Sequence, residues 1–377
     1  MGRGGGVGIN VSIVGENPTG LGLYSVNIAR ELDRVRDDLT VFTSFPEAFG
    51  PLRARIRRVP AVTRPGRGLP GHVVRLVWLQ SMLRVRARTA RLSVVLNTVP
   101  EGILACPVPQ VTVVHDLLPL SFPAEYPRQQ YYFRFLVPRI LRASRIVVAD
   151  SENTRRSIIE RYGLPPAKVR VVNPGYDSGV FYSNGFDPFA GGQAPPNLLY
   201  VGNLLPHKNL LCILDALAIL RRRQPCRLII RGEGRPAYEG ALRERVETLG
   251  LTNAVTFLGY VAETTLRDLY AHAACLVLPS LGEGFGLPVL EAMACGTPVI
   301  ASNISSLPEV IGDAALNVDP RDTIGLADAM YRVLTDRDLR EALRQQGFRR
   351  AALFSWRRTA ERMSRLLDEV AGGKLFS

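Results

Sequence analysis

The sequence predicts an α/β protein made of two doubly wound domains. Three observations point there. Short apolar, β-rich runs alternate with helical stretches through both halves of the chain, the pattern of parallel sheets covered by helices. Glycine-rich turns recur directly after strands, where such sheets place ligands. A length of 377 residues suits two domains, and a Gly-, Pro- and Asn-rich stretch without period, 179–196, marks a linker between them. The expected division is a first domain over 1–178, a second over 197–354 and a last helical segment over 355–377.

In the first domain, Val7–Val14 reads as a strand. It is followed by Glu16-Asn17-Pro18-Thr19-Gly20-Leu21-Gly22 and a helix from Leu23 to about Arg34. Strand, glycine turn, helix is the opening of a Rossmann-like unit. The turn lacks the G-x-G-x-x-G spacing, and no acidic residue stands where a dinucleotide's ribose would need one. Leu39–Thr43, Ile56–Val59, Leu92–Leu96 and Gln110–Val114 are further strands, the last ending at His115-Asp116. A histidine at the carboxyl end of such a strand is placed for chemistry, and Asp116 is the candidate to orient its imidazole. A helix from about Glu125 to Ala143 is rich in Tyr and Arg (Tyr126, Arg128, Tyr131, Tyr132, Arg134). It reads as an ordinary amphipathic helix, with the border of a ligand groove as the alternative. Ile146–Ala149 is a strand, Ser151 caps a helix through Arg161, and Val169–Val172 leads to Asn173-Pro174-Gly175-Tyr176-Asp177.

The second domain opens with Leu198–Val201, then Gly202-Asn203-Leu204-Leu205-Pro206-His207-Lys208-Asn209 and a helix to about Arg223. Lys208, at a helix start after a glycine turn, is placed to neutralise phosphate. Arg227–Ile230 ends in Gly232-Glu233-Gly234, and Val255–Leu258 ends in Gly259-Tyr260-Val261. Cys275–Leu278 reads as a buried strand. The loop Gly282-Glu283-Gly284-Phe285-Gly286 follows, with Leu287 and Pro288 opening a helix to about Ala294, Gly296 closing it and Thr297–Ala301 forming the next strand. Gly284 and Gly286 let backbone approach a ligand, and the positive helix end then faces an anion such as a diphosphate. Glu283 and Glu291 beside it are suited to accept hydrogen bonds from sugar or ribose hydroxyls. Asp336-Arg337-Asp338 matches a D-x-D metal motif by letter, but it stands at a helix start, where Asp is a favoured cap. No other carboxylate or His cluster has metal-ligand spacing.

E-G-F-G-L-P-x-L-E-A-M-A-C-G-x-P-V, over about twenty positions, resembles the E-x7-E region of the retaining glycosyltransferase family GT4. V-V-H-D-L-L-P-L resembles the family segment whose histidine contacts the donor sugar, and V-V-N-P-G-Y-D the close of its N-terminal domains. The resemblance covers nearly the whole chain and implies a GT-B fold: two Rossmann-like domains facing a cleft, with the C-terminal helix crossing back to the first, Trp356 anchoring it. It implies a hexosyltransferase, with His115, Glu283 and Lys208 as catalytic residues. The implied donor-binding residues are Gly20, Gly22, Gly202, Asn203, Lys208, Gly232, Gly259, Tyr260, Glu283, Gly284, Phe285, Gly286, Leu287 and Glu291. By this resemblance Glu291 holds the ribose, Glu283 the sugar hydroxyls, and the loops at Gly232 and Gly259 the base, mainly through backbone. Many members carry an Arg where Asn203 stands, so the pair of cations on the diphosphate is incomplete here. G-N-x-x-P-H-K-N resembles bacterial O-antigen mannosyltransferases, which favours GDP-mannose over UDP-glucose or dTDP-rhamnose. The implied acceptor is a growing glycan or a polyprenyl-pyrophosphate-linked one, and no cofactor or metal is expected. No carboxylate is identifiable as a covalent nucleophile, and retention by front-face attack, with the leaving phosphate taking the acceptor proton, stays open. A sugar-nucleotide epimerase on this fold, and a non-catalytic basic membrane-binding protein, are the rival readings.

Composition bounds the rest. The net charge of +13 implies an acidic partner. It is concentrated: residues 48–100 hold eleven Arg and no Asp or Glu. Within them His72–Arg91 forms a basic helix with Val74, Val77, Trp78, Met82 and Val85 along one stripe, either a membrane-surface helix or a core helix with a solvated basic face. Nucleic acid is not an expected partner, because no recognition motif for it is present. No run approaches a membrane span and the N-terminus does not read as a signal peptide. The five scattered cysteines, without a C-x-x-C pair, fit a reducing cytosol. The expected location is the cytoplasm, at or near the inner face of the membrane.

Overall fold

A computed structural model describes residues 5–16, 18, 20–189 and 195–373. Asn17 and Thr19 of the first glycine turn and residues 190–194 of the expected linker lie outside the described residues, as do the first four and last four residues. The chain forms two compact units, one of residues 1–175 with 356–377 and one of residues 176–355.

The first unit holds a parallel sheet of β1 (Gly6–Asn10), β2 (Leu39–Thr43), β3 (Arg55–Arg58), β4 (Leu92–Asn97), β5 (Gln110–Val114), β6 (Ile146–Ala149) and β7 (Val169–Val171). Their order is β3-β2-β1-β4-β5-β6-β7, so the winding reverses between β1 and β4. Side chains alternate across the sheet: Val94 and Leu96 face the helices Gly20–Val35 and Trp356–Ala371, while Val95 faces the helical segment Gly68–Thr89. The last helix is thus part of the first unit's core, with Trp356, Ala360, Met363, Leu367 and Val370 buried there and the Trp356 ring edge-on to Tyr24 at 5.3 Å.

The second unit's sheet contains β8 (Asn197–Val201), β9 (Arg227–Arg231), β10 (Val255–Leu258), β11 (Cys275–Leu278), β12 (Val299–Ser302) and β13 (Leu316–Val318) in the order β10-β9-β8-β11-β12-β13, again parallel. The winding reverses between β8 and β11. Residues 179–189, expected as linker, count with this unit: Phe181 is buried in its core, edge-on to Tyr270 at 5.9 Å. The first unit ends at Gly175, three residues before the expected boundary.

Two helices depart from expectation. Gly68–Thr89 is interrupted by a π turn at Leu79–Leu83, which shifts the phase. Its buried side is therefore Gly71, Arg75, Trp78, Leu79, Leu83 and Ala87; of the expected apolar stripe only Trp78 is buried, and Val77, Met82 and Val85 are exposed. The Tyr- and Arg-rich helix starts at Gln129, and a π turn at Tyr132–Leu136 precedes its last stretch, Val137–Ala143.

Candidate active-site residues

The second unit gathers most of the expected residues at the carboxyl ends of β8 and β11, the two strands beside the reversal, where ligands of such sheets bind. After β11 the chain runs through Glu283–Gly286 into the helix Leu287–Ala294, with Pro288 in its first turn. Gly286 sits at φ +106°, and a Cβ there would meet Leu307 Cδ2 at 2.7 Å, so only glycine turns the chain into the helix at this point. The helix start presents backbone N–H groups at the loop.

Lys208 ends a short turn after β8, at Pro206–Lys208, two residues before the helix Leu210–Leu220. Its Nζ donates to Glu283 Oε1 at 2.6 Å, and Ser280 Oγ donates to the same oxygen at 2.8 Å. Lys208 and Glu283 are 15% and 10% exposed at the side chain, so the pair is largely withdrawn from water. Two bonds fasten the loops that carry them: Leu281 N–H to His207 O at 2.7 Å, and Asn209 Nδ2 to Pro279 O at 3.0 Å. Ser305 and Ser306 brace Glu283 from β12's side. Ser305 Oγ lies 3.0 Å from Glu283 N and 2.9 Å from Glu283 O, accepting from one and donating to the other, while Ser306 Oγ lies 2.9 Å from the same carbonyl. Ser305 holds φ +63°, a strained conformation of the kind that concentrates at functional sites.

Further along the helix, Glu291 Oε2 accepts a 2.9 Å hydrogen bond from Tyr270 OH. Burial, the largest influence, pushes the Glu291 carboxyl up to about 7; the Tyr270 bond and the Arg231 charge pull it down, and Glu263 pushes it up. Gly232, at φ +152°, packs against the Gly202 carbonyl, where a Cβ would come within 1.8 Å, so the β8 and β9 loops touch backbone to backbone. Glu233 Oε1 accepts from Tyr260 N–H at 3.2 Å, fastening the β9 and β10 loops, and Gly259 borders the same carboxylate. The Tyr260 ring is 65% exposed, with the Arg231 guanidinium 5.1 Å from its centroid. Asn203 is exposed. Phe285 instead turns into the core, edge-on to Phe354 at 5.7 Å, leaving only its backbone for the loop.

The first unit holds the other expected residues. His115 follows β5 and is buried; its Nδ1 is 2.7 Å from Asp150 Oδ2 and its Nε2 2.8 Å from Thr98 O. A carbonyl only accepts, so Nε2 carries a proton and a second one lies between Nδ1 and the carboxylate. Burial works against the imidazolium but Asp150 outweighs it, and the His115 pKa is raised. The orienting carboxylate is therefore Asp150 rather than Asp116, whose Oδ1 accepts from Leu118 N–H at 2.9 Å and turns its own chain. The helix that Gly20 and Gly22 open connects to His115 through Tyr24, whose ring stands edge-on to the imidazole at 4.5 Å.

Sequence reasoning missed Asp150, Tyr270, Ser280, Ser305 and Ser306. The two serines of S-S-L-P-E-V, just past the end of β12, and Asp150, just past the end of β6, had a signal in their position; Tyr270 had none. Among the described residues no group of three or more His, Cys, Asp or Glu is gathered as a metal ion requires. Asp336 caps the helix Arg337–Ala351 by accepting from Leu339 N–H at 2.9 Å. No described helix is long and apolar enough to cross a membrane.

Two sheets wound in this order, one carrying an acidic, lysine-paired loop at a helix start, define a GT-B-type glycosyltransferase. The family model described as Glycosyltransferase Family 4 matches residues 18–179, and that described as Glycosyl transferases group 1 matches residues 189–350. The O-antigen chain mannosyltransferase RfbU of Salmonella typhimurium is 30% identical over 83% of this chain and 87% of its own length. The O-antigen chain mannosyltransferase B of Escherichia coli is 32% identical over 65% of this chain and 66% of its own length. The crystal structure of Anabaena Alr3699/HepE in complex with UDP and glucose superposes with a TM-score of 0.76 at 20% identity, covering 97% of this chain and all of that one. The chain belongs to glycosyltransferase family 4 and is a transferase enzyme.

Proposed function

We propose that the chain moves a hexose, mannose, from GDP-mannose to a growing or lipid-linked glycan of a bacterial surface polysaccharide, with retention and without a metal ion. The observation that carries the reading is the Lys208–Glu283 pair held at the start of the helix Leu287–Ala294. The names of the O-antigen mannosyltransferases support the mannosyl donor, and the UDP and glucose held by the Anabaena protein support a nucleotide-sugar donor in general.

In this reading the C1–O bond to the diphosphate breaks and a bond from C1 to the acceptor oxygen forms. The acceptor's proton passes to the leaving phosphate. Negative charge grows on the diphosphate, and the Lys208 ammonium with the loop and helix N–H groups stabilises it. Glu283, held by Lys208, Ser280 and Ser305, binds sugar hydroxyls, and Glu291 binds the ribose. The role proposed for His115 is contact with the transferred sugar, its ring fixed by Asp150 and Thr98. The exposed residues Leu69, Val73, Val77, Met82 and Val85, with Arg84 and Arg88 beside them, make the segment Gly68–Thr89 a candidate peripheral contact for the inner face of an anionic membrane, where a lipid-linked acceptor would be met.

Calorimetric binding of GDP, UDP and dTDP, with and without EDTA, tests the donor. GDP is expected to bind tightest, unaffected by EDTA, and Lys208→Ala to weaken it about tenfold to a hundredfold, as loss of a charge-assisted hydrogen bond does. Tightest binding of UDP or dTDP would replace mannose by glucose or rhamnose. Loss of binding in EDTA would overturn the metal-free reading.

A further inference from the structure

Arg231 has no place in the machinery above, and its surroundings are unusual. It ends β9, and its Nε–H is buried without a hydrogen-bond partner among the described residues. One terminal nitrogen reaches Val261 O at a long 3.4 Å. The guanidinium lies over the Tyr260 ring, and its charge acts on Glu291. A buried N–H left unpaired costs free energy, so its persistence in a binding site calls for an explanation.

Position narrows what would pair with it. Across the carboxyl edge of the sheet the order is β10-β9-β8-β11. Glu283 follows β11, Lys208 follows β8 and Arg231 ends β9, with Tyr260 just beyond β10. On the proposed reading, on which this inference rests, the diphosphate lies at the Glu283 loop and the ribose at Glu291. The next group outward is the base, and Arg231 with Tyr260 stands there.

We propose that Arg231 reads the nucleobase and selects guanine. Guanidinium is a planar fork of donors with no acceptor. Guanine offers it two adjacent acceptors, O6 and N7. Uracil and thymine set a ring N–H donor next to each carbonyl, so one arm of the fork would face a donor; adenine pairs N7 with an amino donor. Nε and its neighbouring terminal nitrogen form the edge that matches O6 and N7. The Tyr260 ring, 5.1 Å from the guanidinium and on a backbone whose N–H donates to Glu233, supports the guanidinium plane. Base choice therefore does not rest on backbone contacts alone, as the glycine-rich loops of β9 and β10 suggest.

The test measures dissociation constants of GDP, inosine diphosphate, 7-deaza-GDP and UDP for the 377-residue chain, for Arg231→Lys and for Arg231→Met. Wild type should bind GDP and inosine diphosphate alike, since both present O6 and N7, and 7-deaza-GDP about tenfold more weakly. Arg231→Met should bind GDP and 7-deaza-GDP equally, and Arg231→Lys should keep part of the difference. Equal binding of GDP and 7-deaza-GDP by wild type, or an unchanged ratio in Arg231→Met, would overturn the assignment while leaving the donor site intact. The wild-type comparison needs no variant to fold. Failure of every nucleotide to bind wild type is a different result and would overturn the donor site itself.

Discussion

Glu291 joins burial, a single donor and a proposed ligand in one titration. Its carboxyl is held up to about 7 by burial, with Tyr270 OH as the partner that favours ionisation. The sign follows from which form each process needs. Folding prefers the protonated acid, so this group's contribution to stability is complete below its unfolded value near 4.5 and is lost as pH rises through about 7. Accepting hydrogen bonds from ribose hydroxyls prefers the carboxylate. Nucleotide affinity is therefore expected to increase as pH rises from 6 to 8. Tyr270→Phe should move the midpoint upward and Glu291→Gln should flatten the profile; a wild-type profile that is flat or inverted would refute the ribose role. Glu283 and Glu291 stood out together in the sequence because a short loop and one helix fix their spacing; Lys208, 75 residues from Glu283, stood out only through its own glycine turn and helix start. The pairing of Asp150 with His115 did not stand out. The two lie 35 residues apart, and the parallel register that pairs Val114 with Ala149 sets them side by side just beyond their strands. Asp116, the neighbour in sequence, points elsewhere because adjacent residues of an extended chain face opposite ways.

At the scale of the element, the segment Gly68–Thr89 separates what a pattern can say from what it cannot. Its basic, apolar and helical character was plain in the sequence. Its phase was not, because the π turn at Leu79–Leu83 adds a residue to the turn and breaks the 3.6-residue count. The inward face keeps a charge: Arg75, 3% exposed, pairs with Glu101 through Nε at 2.5 Å and Nη2 at 2.7 Å. The outward face keeps Leu69, Val73, Val77, Met82 and Val85, with Val77 61% exposed. Exposed aliphatics flanked by arginines are expected to enter the headgroup region of an anionic bilayer. Wild type should sediment with anionic vesicles and be released by salt. The Val77→Glu, Val85→Glu double variant should bind about tenfold more weakly while melting as wild type does, because both sites face solvent. Equal binding to neutral and anionic vesicles at low salt would refute the contact.

For the whole molecule, alternation of strands and helices made both sheets legible, and twelve of the thirteen strands among the described residues were placed. The exception, β13, is a three-residue edge strand; β7 is as short and also lies at an edge, but it sits in the Val-rich run Val169–Val172, while β13 offers only Leu316-Asn317-Val318. The last helix shows how chain order and unit membership part company: Trp356–Ala371 follows the second unit in sequence but fills the core of the first. That asymmetry sets a whole-molecule prediction. Removing residues 356–377 strips Trp356, Met363, Leu367 and Val370 from the first unit's interior and bares the helix Gly20–Val35. Each such large side chain is worth about 2–5 kcal/mol in a core, and a domain's whole stability is about 5–15 kcal/mol. Residues 1–355 should therefore lose the first unit's cooperative unfolding transition and expose it to protease. The second unit keeps every strand of its sheet and its own core, so in the same truncated protein it should still unfold cooperatively. It should also still bind nucleotide, because Lys208, Glu283, Glu291 and Arg231 all lie in residues 176–355. Chemical denaturation followed with limited proteolysis and nucleotide binding reads the two outcomes separately. Survival of the first unit's transition without its last helix would show that the helix is dispensable to that core, and loss of nucleotide binding would show that the donor site needs more than the second unit.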